Sequence, residues 1–284
     1  MQHRTIQDVT VSAIGLGAMP MSIEGRPDEA QSLRTIHAAL DAGVRLIDTA
    51  RPYHLLAGEA GHNERLVAKA LATWSGDASE VLVATKGGVL RPGDGTWTLN
   101  GDPAALISAA KQSAKDLGVE SIGLYYYHRP DPKVPFADSI GALVELLDQG
   151  VIRLAGVSNA SVEQINQAND LLGGRLAAVQ NQYAPNHRST QDTLDECGRL
   201  GIAFLPWSPL GGISSAKDLG TRFAAFARVG SAHGVSPQQV ALAWELAQGP
   251  HVIPIPGASR PETILDSIKA ADLVLTADEL ALLD

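Results

Sequence analysis

The sequence predicts a (β/α)8 TIM barrel fed by a short N-terminal β-hairpin, and three observations lead there. Short β-branched runs alternate with amphipathic helical stretches eight times along the chain, the pattern of parallel strands joined by helices. The length of 284 residues suits one such barrel better than a sandwich or bundle. The competing doubly wound sheet needs a glycine-rich turn that opens a helix after its first strand. "GLGAMPMS" lacks the third glycine, and Met19–Pro20 interrupts such a helix. No linker or low-complexity stretch divides residues 1–284, so one domain is expected.

The elements follow in order. Arg4–Ile14 alternates around Asp8 and reads as the hairpin, and Gly15–Met19 as the first barrel strand. A helix over Asp28–Ala42 leads to the strand Arg45–Asp48, and the helix Asn63–Thr73 to the strand Val81–Lys86. After a loop with Pro92, Gly93 and Gly95 comes the helix Pro103–Leu117, with Asp102 at the N-cap and Pro103 in the first turn. Ile122–Tyr127 reads as strand, Phe136–Gln149 as helix, Ile152–Val157 as strand and Val162–Leu172 as helix. Ala177–Asn181, Thr190–Leu200 and Ile202–Pro206 continue as strand, helix and strand. Helices over Arg222–His233 and Pro237–Gln248 precede a strand at His251–Pro254, then helices over Pro261–Ala270 and Thr276–Leu283.

Composition narrows the functional classes. Hydrophobic residues make up 45% and charged residues 19%, which is globular. With 22 basic against 31 acidic residues, the net charge of −9 argues against nucleic-acid or anionic-membrane partners. The lone Cys197 allows no intrachain disulfide and no multi-cysteine metal site. Met1–Asp8 lacks the basic and apolar regions of a signal peptide, and no apolar run is long enough for a membrane span. A soluble, cytoplasmic protein is expected.

In a barrel of this kind, chemistry gathers where strands end at the C-terminal face. Those ends carry Asp48 with Tyr53 close behind, Lys86, His128, Ser158 and Asn159, Gln180, and Trp207 with Ser208. A tyrosine with pKa about 10 is a poor acid near neutrality. An adjacent ammonium lowers that value, and a carboxylate keeps the ammonium charged. Asp48, Lys86 and Tyr53 form such a chain if they meet, and a neutral His128 could orient a carbonyl oxygen. This chemistry needs no metal, and the remaining histidines show no ligand spacing. Each residue also has a plainer reading: Asp48 as a turn cap, Lys86 as a rim lysine, His128 as a structural histidine, Trp97 and Trp207 as packing. Tyr125, Tyr126, Tyr127, Trp74 and Trp244 read as packing residues, and Cys197 as inert.

The set "IGLGAM", "DTARPY", "GHNE", "ATKGG", "YYYHRPDP", "GVSN", "VQNQY", "PWSPLGG" and "IPGASRPE" resembles the aldo-keto reductases in order and spacing, from about Val11 to Leu283. The resemblance implies an oxidoreductase that reduces aldehydes or ketones with a nicotinamide dinucleotide, usually NADPH. It assigns the catalytic tetrad to Asp48, Tyr53, Lys86 and His128, with Tyr53 as proton donor. It implies contacts of the nicotinamide amide with Ser158, Asn159 and Gln180, and a ring stacked on Trp207. Gly17, Ala18 and Met19, together with Ser208, Pro209, Leu210 and Gly211, would hold the ribose and pyrophosphate. Gly257 and the segment Ser259, Arg260, Thr263, Asp266 and Ser267 would hold the adenosine and any 2′-phosphate.

Three departures from the family pattern stand out. Thr263 occupies a position where NADPH-preferring members often place an arginine, which leaves Arg260 as the local cation, Lys217 and Lys269 as more distant ones, and NADH as possible. Asp266 and Ser267 replace a Glu-Asn pair that often reads the adenine. The chain after "SPLGG" is also short for a substrate-closing tail. The pocket walls then reduce to the loop Gly87–Gly101, with Trp97, and to His54–Gly61, so a broad small-molecule carbonyl range is expected. Oligomeric state stays open. Two alternatives keep the same residues: an NAD(P)-dependent alcohol or sugar dehydrogenase working oxidatively, and a nicotinamide-binding regulatory subunit.

Overall fold

The computed structural model describes residues 2–212 and 215–283. An antiparallel hairpin, β1 (His3–Ile6) and β2 (Val9–Ser12), opens the chain. The barrel strands β3 (Leu16–Gly17), β4 (Leu46–Asp48) and β5 (Leu82–Gly87) follow. A second hairpin, β6 (Val89–Leu90) and β7 (Thr98–Leu99), leaves the top of β5, and β8 (Ile122–Tyr127), β9 (Ile152–Ser158), β10 (Leu176–Gln180) and β11 (Ala203–Phe204) complete the series. The seven barrel strands pair in parallel in the order β11-β10-β9-β8-β5-β4-β3. Between them run α1 (Glu29–Asp41), α2 (His62–Thr73), α3 (Pro103–Leu117), α4 (Phe136–Asp148), α5 (Val162–Leu171) and α6 (Gln191–Leu200).

The eighth staves of the barrel are unusual in their bonding. The segment 251–258 closes the ring between β11 and β3 through the bridges Phe204↔Val252 and Gly17↔Gly257. Its N–H groups at Ile253 and Ile255 donate to Phe204 and Pro206, while the carbonyls of Pro254 and Pro256 accept from Gly15 and Gly17. The prolines have no N–H to give, so each faces the seam with its carbonyl only. The sequence places a strand at His251–Pro254; the closure in fact extends to Ala258, whose N–H donates to Gly17.

Alternation along each strand divides core from site. Leu46, Leu82, Ala84, Leu124, Tyr126, Leu154, Ala178, Leu205, Ile253 and Ile255 fill the barrel interior, joined at its base by Ile6 and Val11 of the first hairpin. Tyr126 fits because Gly156 faces it; a Cβ there would lie 2.4 Å from the ring. The next inward positions toward the C-terminal end are Asp48, Lys86, His128, Ser158 and Gln180. Outward residues of the same strands, including Tyr125, Tyr127, Val157 and Val179, pack beneath the helices. The tyrosine run is therefore packing, as expected.

Helix starts follow their caps. Asp28 accepts from Gln31 N at 2.7 Å, Asp102 from Ala105 N at 2.9 Å with Pro103 in the first turn, and Ser161 forms a capping box with Gln164. Each cap contributes about 1 kcal/mol. The helix expected over Arg222–His233 is two helices, α7 (Leu219–Arg222) and α8 (Ala224–His233), broken at the non-helical Phe223. Then come α9 (Pro237–Ala247), α10 (Pro261–Ile268) and α11 (Ala277–Leu283). Trp244 is buried and stacks on Tyr183 at 5.3 Å. Cys197 is buried in α6, where burial pushes its thiol pKa up, so it holds its proton. No helix among the described residues is long and apolar enough to cross a membrane.

Candidate active site

At the C-terminal end of the barrel lies a cleft of about 570 Å³. The inward register of β4 and β5 brings Asp48 and Lys86 to its floor. Lys86 Nζ donates to Asp48 Oδ1 at 2.5 Å, to the Thr49 carbonyl at 2.9 Å and to the Tyr53 hydroxyl at 3.4 Å. Gln180 Nε2 donates to the other Asp48 oxygen at 2.8 Å. A hydrogen-bonded chain Gln180–Asp48–Lys86–Tyr53 thus runs from the barrel interior to the cleft, and all four side chains are buried.

Burial is expensive for this much charge, and the pairing offsets it. Desolvation is the largest single influence on Lys86 and lowers its pKa; Asp48 and Tyr53 together outweigh it and hold the ammonium above its ordinary pKa. Burial raises Asp48, opposed by Lys86 and Gln180. For Tyr53 the sequence expectation was a lowered pKa. Burial instead raises it and is the largest influence, with Lys86 pulling it back only in part. The phenol is therefore held protonated at neutral pH beside an ammonium that would stabilise its anion.

His128 follows β8 and its backbone N–H is fixed by Gly87 O at 2.8 Å. Its ring stands edge-on to Tyr53, centroids 6.0 Å apart, and its buried Nδ1 has no partner. Burial, then Lys86 and Arg129, push its pKa well below the usual 6.5, so the imidazole is neutral. A neutral ring can donate one hydrogen bond to an oxygen without carrying charge.

The start of α2 locks these elements together. Asn63 accepts from Thr49 Oγ1 at 2.5 Å and donates to the Ala18 carbonyl at 2.9 Å and Ser22 Oγ at 2.7 Å. Glu64 accepts from Thr85 Oγ1 at 2.6 Å. The "GHNE" segment therefore positions β3, β4 and β5 from outside the barrel, a role its sequence alone did not disclose. Over the cleft, Trp97 meets Tyr53 edge-on at 6.5 Å and carries the Arg91 guanidinium 4.8 Å above its ring. Arg91 donates in turn to the His54 carbonyl and pairs with Glu24, pinning this hairpin to the loop after β4.

Most of the residues expected at the site do line one cleft: Gly17, Met19, Asp48, Tyr53, Trp97, His128, Ser158, Asn159, Gln180, Trp207, Ser208, Pro209, Leu210 and Gly257. Asn159 and Ser208 hold positive φ of 57° and 51°, strained values for non-glycine residues that recur at functional positions. Asn159 Nδ2 donates to the His128 carbonyl and to Ser158 Oγ, both at 3.0 Å, which leaves its Oδ1 as an acceptor. The indole N–H of Trp207 is buried without a partner.

Lys86 lies buried behind Asp48 and Tyr53, and Ala18, Gly211, Ser259, Arg260, Thr263, Asp266 and Ser267 lie outside the cleft wall. Ala18 is buried, its N–H given to the Asp48 carbonyl at 2.8 Å. Arg260 is exposed at the N-cap of α10. Asp266 turns toward α9, accepting from Ser236 Oγ and Gln239 Nε2 at 2.6 Å each, and Ser267 Oγ donates to the Thr263 carbonyl at 3.1 Å. Val89 and Leu99 bring the expected wall loop Gly87–Gly101 to the cleft, whereas no residue of the expected segment His54–Gly61 lines it; the sequence reading missed Arg129, Ile255 and Pro256, and only the place of Arg129 next to His128 hinted at it.

Comparison with known proteins fits this geometry. The family model "Aldo/keto reductase family" matches residues 13–284. An uncharacterized oxidoreductase of Schizosaccharomyces pombe is 33% identical over 98% of this chain and 88% of its own length. The glycerol dehydrogenase AKR11B4 from Gluconobacter oxydans superposes with a TM-score of 0.84 at 28% identity, covering 99% of this chain and 93% of that one. An aldo/keto reductase from Klebsiella pneumoniae, solved in complex with NADP and acetate, has a TM-score of 0.82 at 26% identity, covering 98% and 92%. The chain belongs to the aldo/keto reductase family. It is a nicotinamide-dependent oxidoreductase on a (β/α)8 barrel, acting on carbonyl or CH–OH groups.

Proposed function

We propose that the protein, acting as one unit over residues 1–284, reduces small aldehydes or ketones to alcohols with NADPH. The observation that carries this reading is the buried chain Gln180–Asp48–Lys86–Tyr53, which ends at a protonated phenol in the cleft beside a neutral imidazole. Tyr53 and His128 together bind the carbonyl oxygen, and their hydrogen bonds polarise the carbonyl. When bound, the reduced nicotinamide supplies a hydride to the carbonyl carbon. Tyr53 gives its proton to the oxygen, and the Lys86 ammonium stabilises the resulting tyrosinate until solvent restores the proton.

The free Oδ1 of Asn159, the side chains of Ser158 and Gln180, and the Trp207 indole suit a carboxamide and its ring. Arg260 is the local cation for a 2′-phosphate, supported by its exposure at the start of α10. The likeness to a glycerol dehydrogenase favours a second reading in which the same groups run the oxidation, with Tyr53 as base. The test is cofactor consumption, with NADPH and NADH in parallel, against a panel of aldehydes and of the matching alcohols. Turnover of aldehydes with NADPH preferred supports the reading. Turnover of alcohols alone would replace it with the second, and cofactor binding without turnover of either would overturn both.

A further inference from the structure

The cleft holds a charge that the chemistry just described does not use. Among the described residues, Asp48 and Arg129 are the only Asp, Glu, Lys or Arg that line it, and Asp48 is paired with Lys86 on the floor. Arg129, directly after His128, has no hydrogen-bond or ion-pair partner among the described residues. Arg129 is exposed at the cleft, and the wall on its β5 side is apolar. The hairpin that leaves β5 puts Val89, Trp97 and Leu99 on the cleft wall, and β5 and β8 are neighbouring strands, so these side chains and Arg129 share one side of the mouth. Ser158 and Gln180 end β9 and β10, and Asn159 and Trp207 follow β9 and β11; these polar groups lie on the other side of β8 from the hairpin. The positive charge of Arg129 reaches the reacting groups: it opposes the burial-driven rise at Tyr53 and adds to the lowering at His128.

From this arrangement we propose that the substrate is an oxo-acid, an aldehyde or ketone bearing a carboxylate across a short apolar chain or ring. The carbonyl meets Tyr53 and His128, the apolar part lies against Val89, Trp97 and Leu99, and the carboxylate pairs with Arg129. A guanidinium takes a carboxylate through two parallel hydrogen bonds. The pair gains strength because one side of it is apolar wall rather than water. The inference rests on the reductase reading of the same site. The carbonyl gains a hydride at carbon from the reduced nicotinamide and the Tyr53 proton at oxygen, and the carboxylate passes through unchanged.

The test compares kcat/KM for 4-carboxybenzaldehyde with that for its methyl ester, and for 4-oxobutanoate with its methyl ester. The acid should exceed its ester by about tenfold or more in at least one pair, a difference equal to about 1.4 kcal/mol. Arg129→Gln should cut that ratio about tenfold, mainly through KM for the acid, and Arg129→Lys should restore part of it. Reading the ratio cancels any effect of Arg129 on Tyr53 or His128, because that effect acts on both members of a pair. The wild-type ratio should also fall as salt is raised, which needs no variant. A wild-type ratio near one in both pairs, or a ratio unmoved by Arg129→Gln and by salt, overturns the proposal. Turnover of none of the four aldehydes with either cofactor removes the reductase reading itself, and this substrate class with it.

Discussion

Lys86 Nζ stands 3.4 Å from the Tyr53 hydroxyl at the floor of the cleft, where both side chains are buried. The geometry answers a problem that burial creates. Burial raises the Tyr53 pKa and so opposes loss of its proton; the ammonium opposes that rise. Asp48, bonded to Lys86 at 2.5 Å, keeps the ammonium charged. Lys86→Met should therefore lower kcat/KM for carbonyl reduction by about a hundredfold or more, within the range of general acid catalysis, while the Kd for cofactor changes little. Steady-state kinetics with a fluorescence titration of cofactor binding checks both halves.

The pH dependence should be lopsided. His128 titrates well below 6.5, so kcat/KM for reduction should show no inflection at the usual histidine value. Tyr53 titrates above 10, so reduction should hold level through neutrality and fall only at strongly alkaline pH. Oxidation of the matching alcohol needs the phenolate and should rise with pH over the same range. Paired pH profiles in the two directions test this, and an inflection near pH 6.5 in the reduction profile would mean that His128 is not held neutral.

Arg260→Ala separates the two cofactors. Loss of a charge-assisted contact to a 2′-phosphate should weaken NADPH about tenfold and NADH less than about twofold. Titration of both cofactors by fluorescence checks it. Equal weakening would assign Arg260 a general role at the start of α10 instead.

How much of this was legible in the chain depends on distance. The barrel is visible because each strand and helix carries its own period, and the tetrad because "LID", "LVATK" and "LYYYH" put their polar residue in step with the inward face. The extent of the last barrel segment was not, since Pro254 and Pro256 bond by their carbonyls alone and resemble no ordinary strand. Nor could local pattern show that Asp266 is occupied by Ser236 and Gln239, a contact between α9 and α10 across 27 to 30 residues. The missed wall residue Arg129 has the same cause: a cleft is assembled from loops, and no period reports where loops meet. The raised Tyr53 pKa was misjudged because the sequence named its cation but not its burial.

Glu245 offers a stability test remote from the site. It is fully buried in α9, neither carboxylate oxygen has a partner, and burial holds its pKa well above 4.5. The unfolded chain loses this proton first as pH rises above 4.5, so stability declines from there up through the folded pKa. Glu245→Gln has no such titration. Its Tm relative to wild type should improve between pH 5 and pH 8, by a shift of about 2–4 °C per kcal/mol relieved. A difference in Tm that is the same at both pH values would contradict this.

The central claim is that Tyr53 delivers the proton, and Tyr53→Phe tests it most directly. The ring still fills its place between Trp97 and His128, so cofactor binding should persist, and only the hydroxyl facing Lys86 is lost. In Tyr53→Phe, kcat/KM for aldehyde reduction should fall by about 10²–10⁴-fold with cofactor Kd changed less than about threefold. Wild-type turnover by Tyr53→Phe would contradict it.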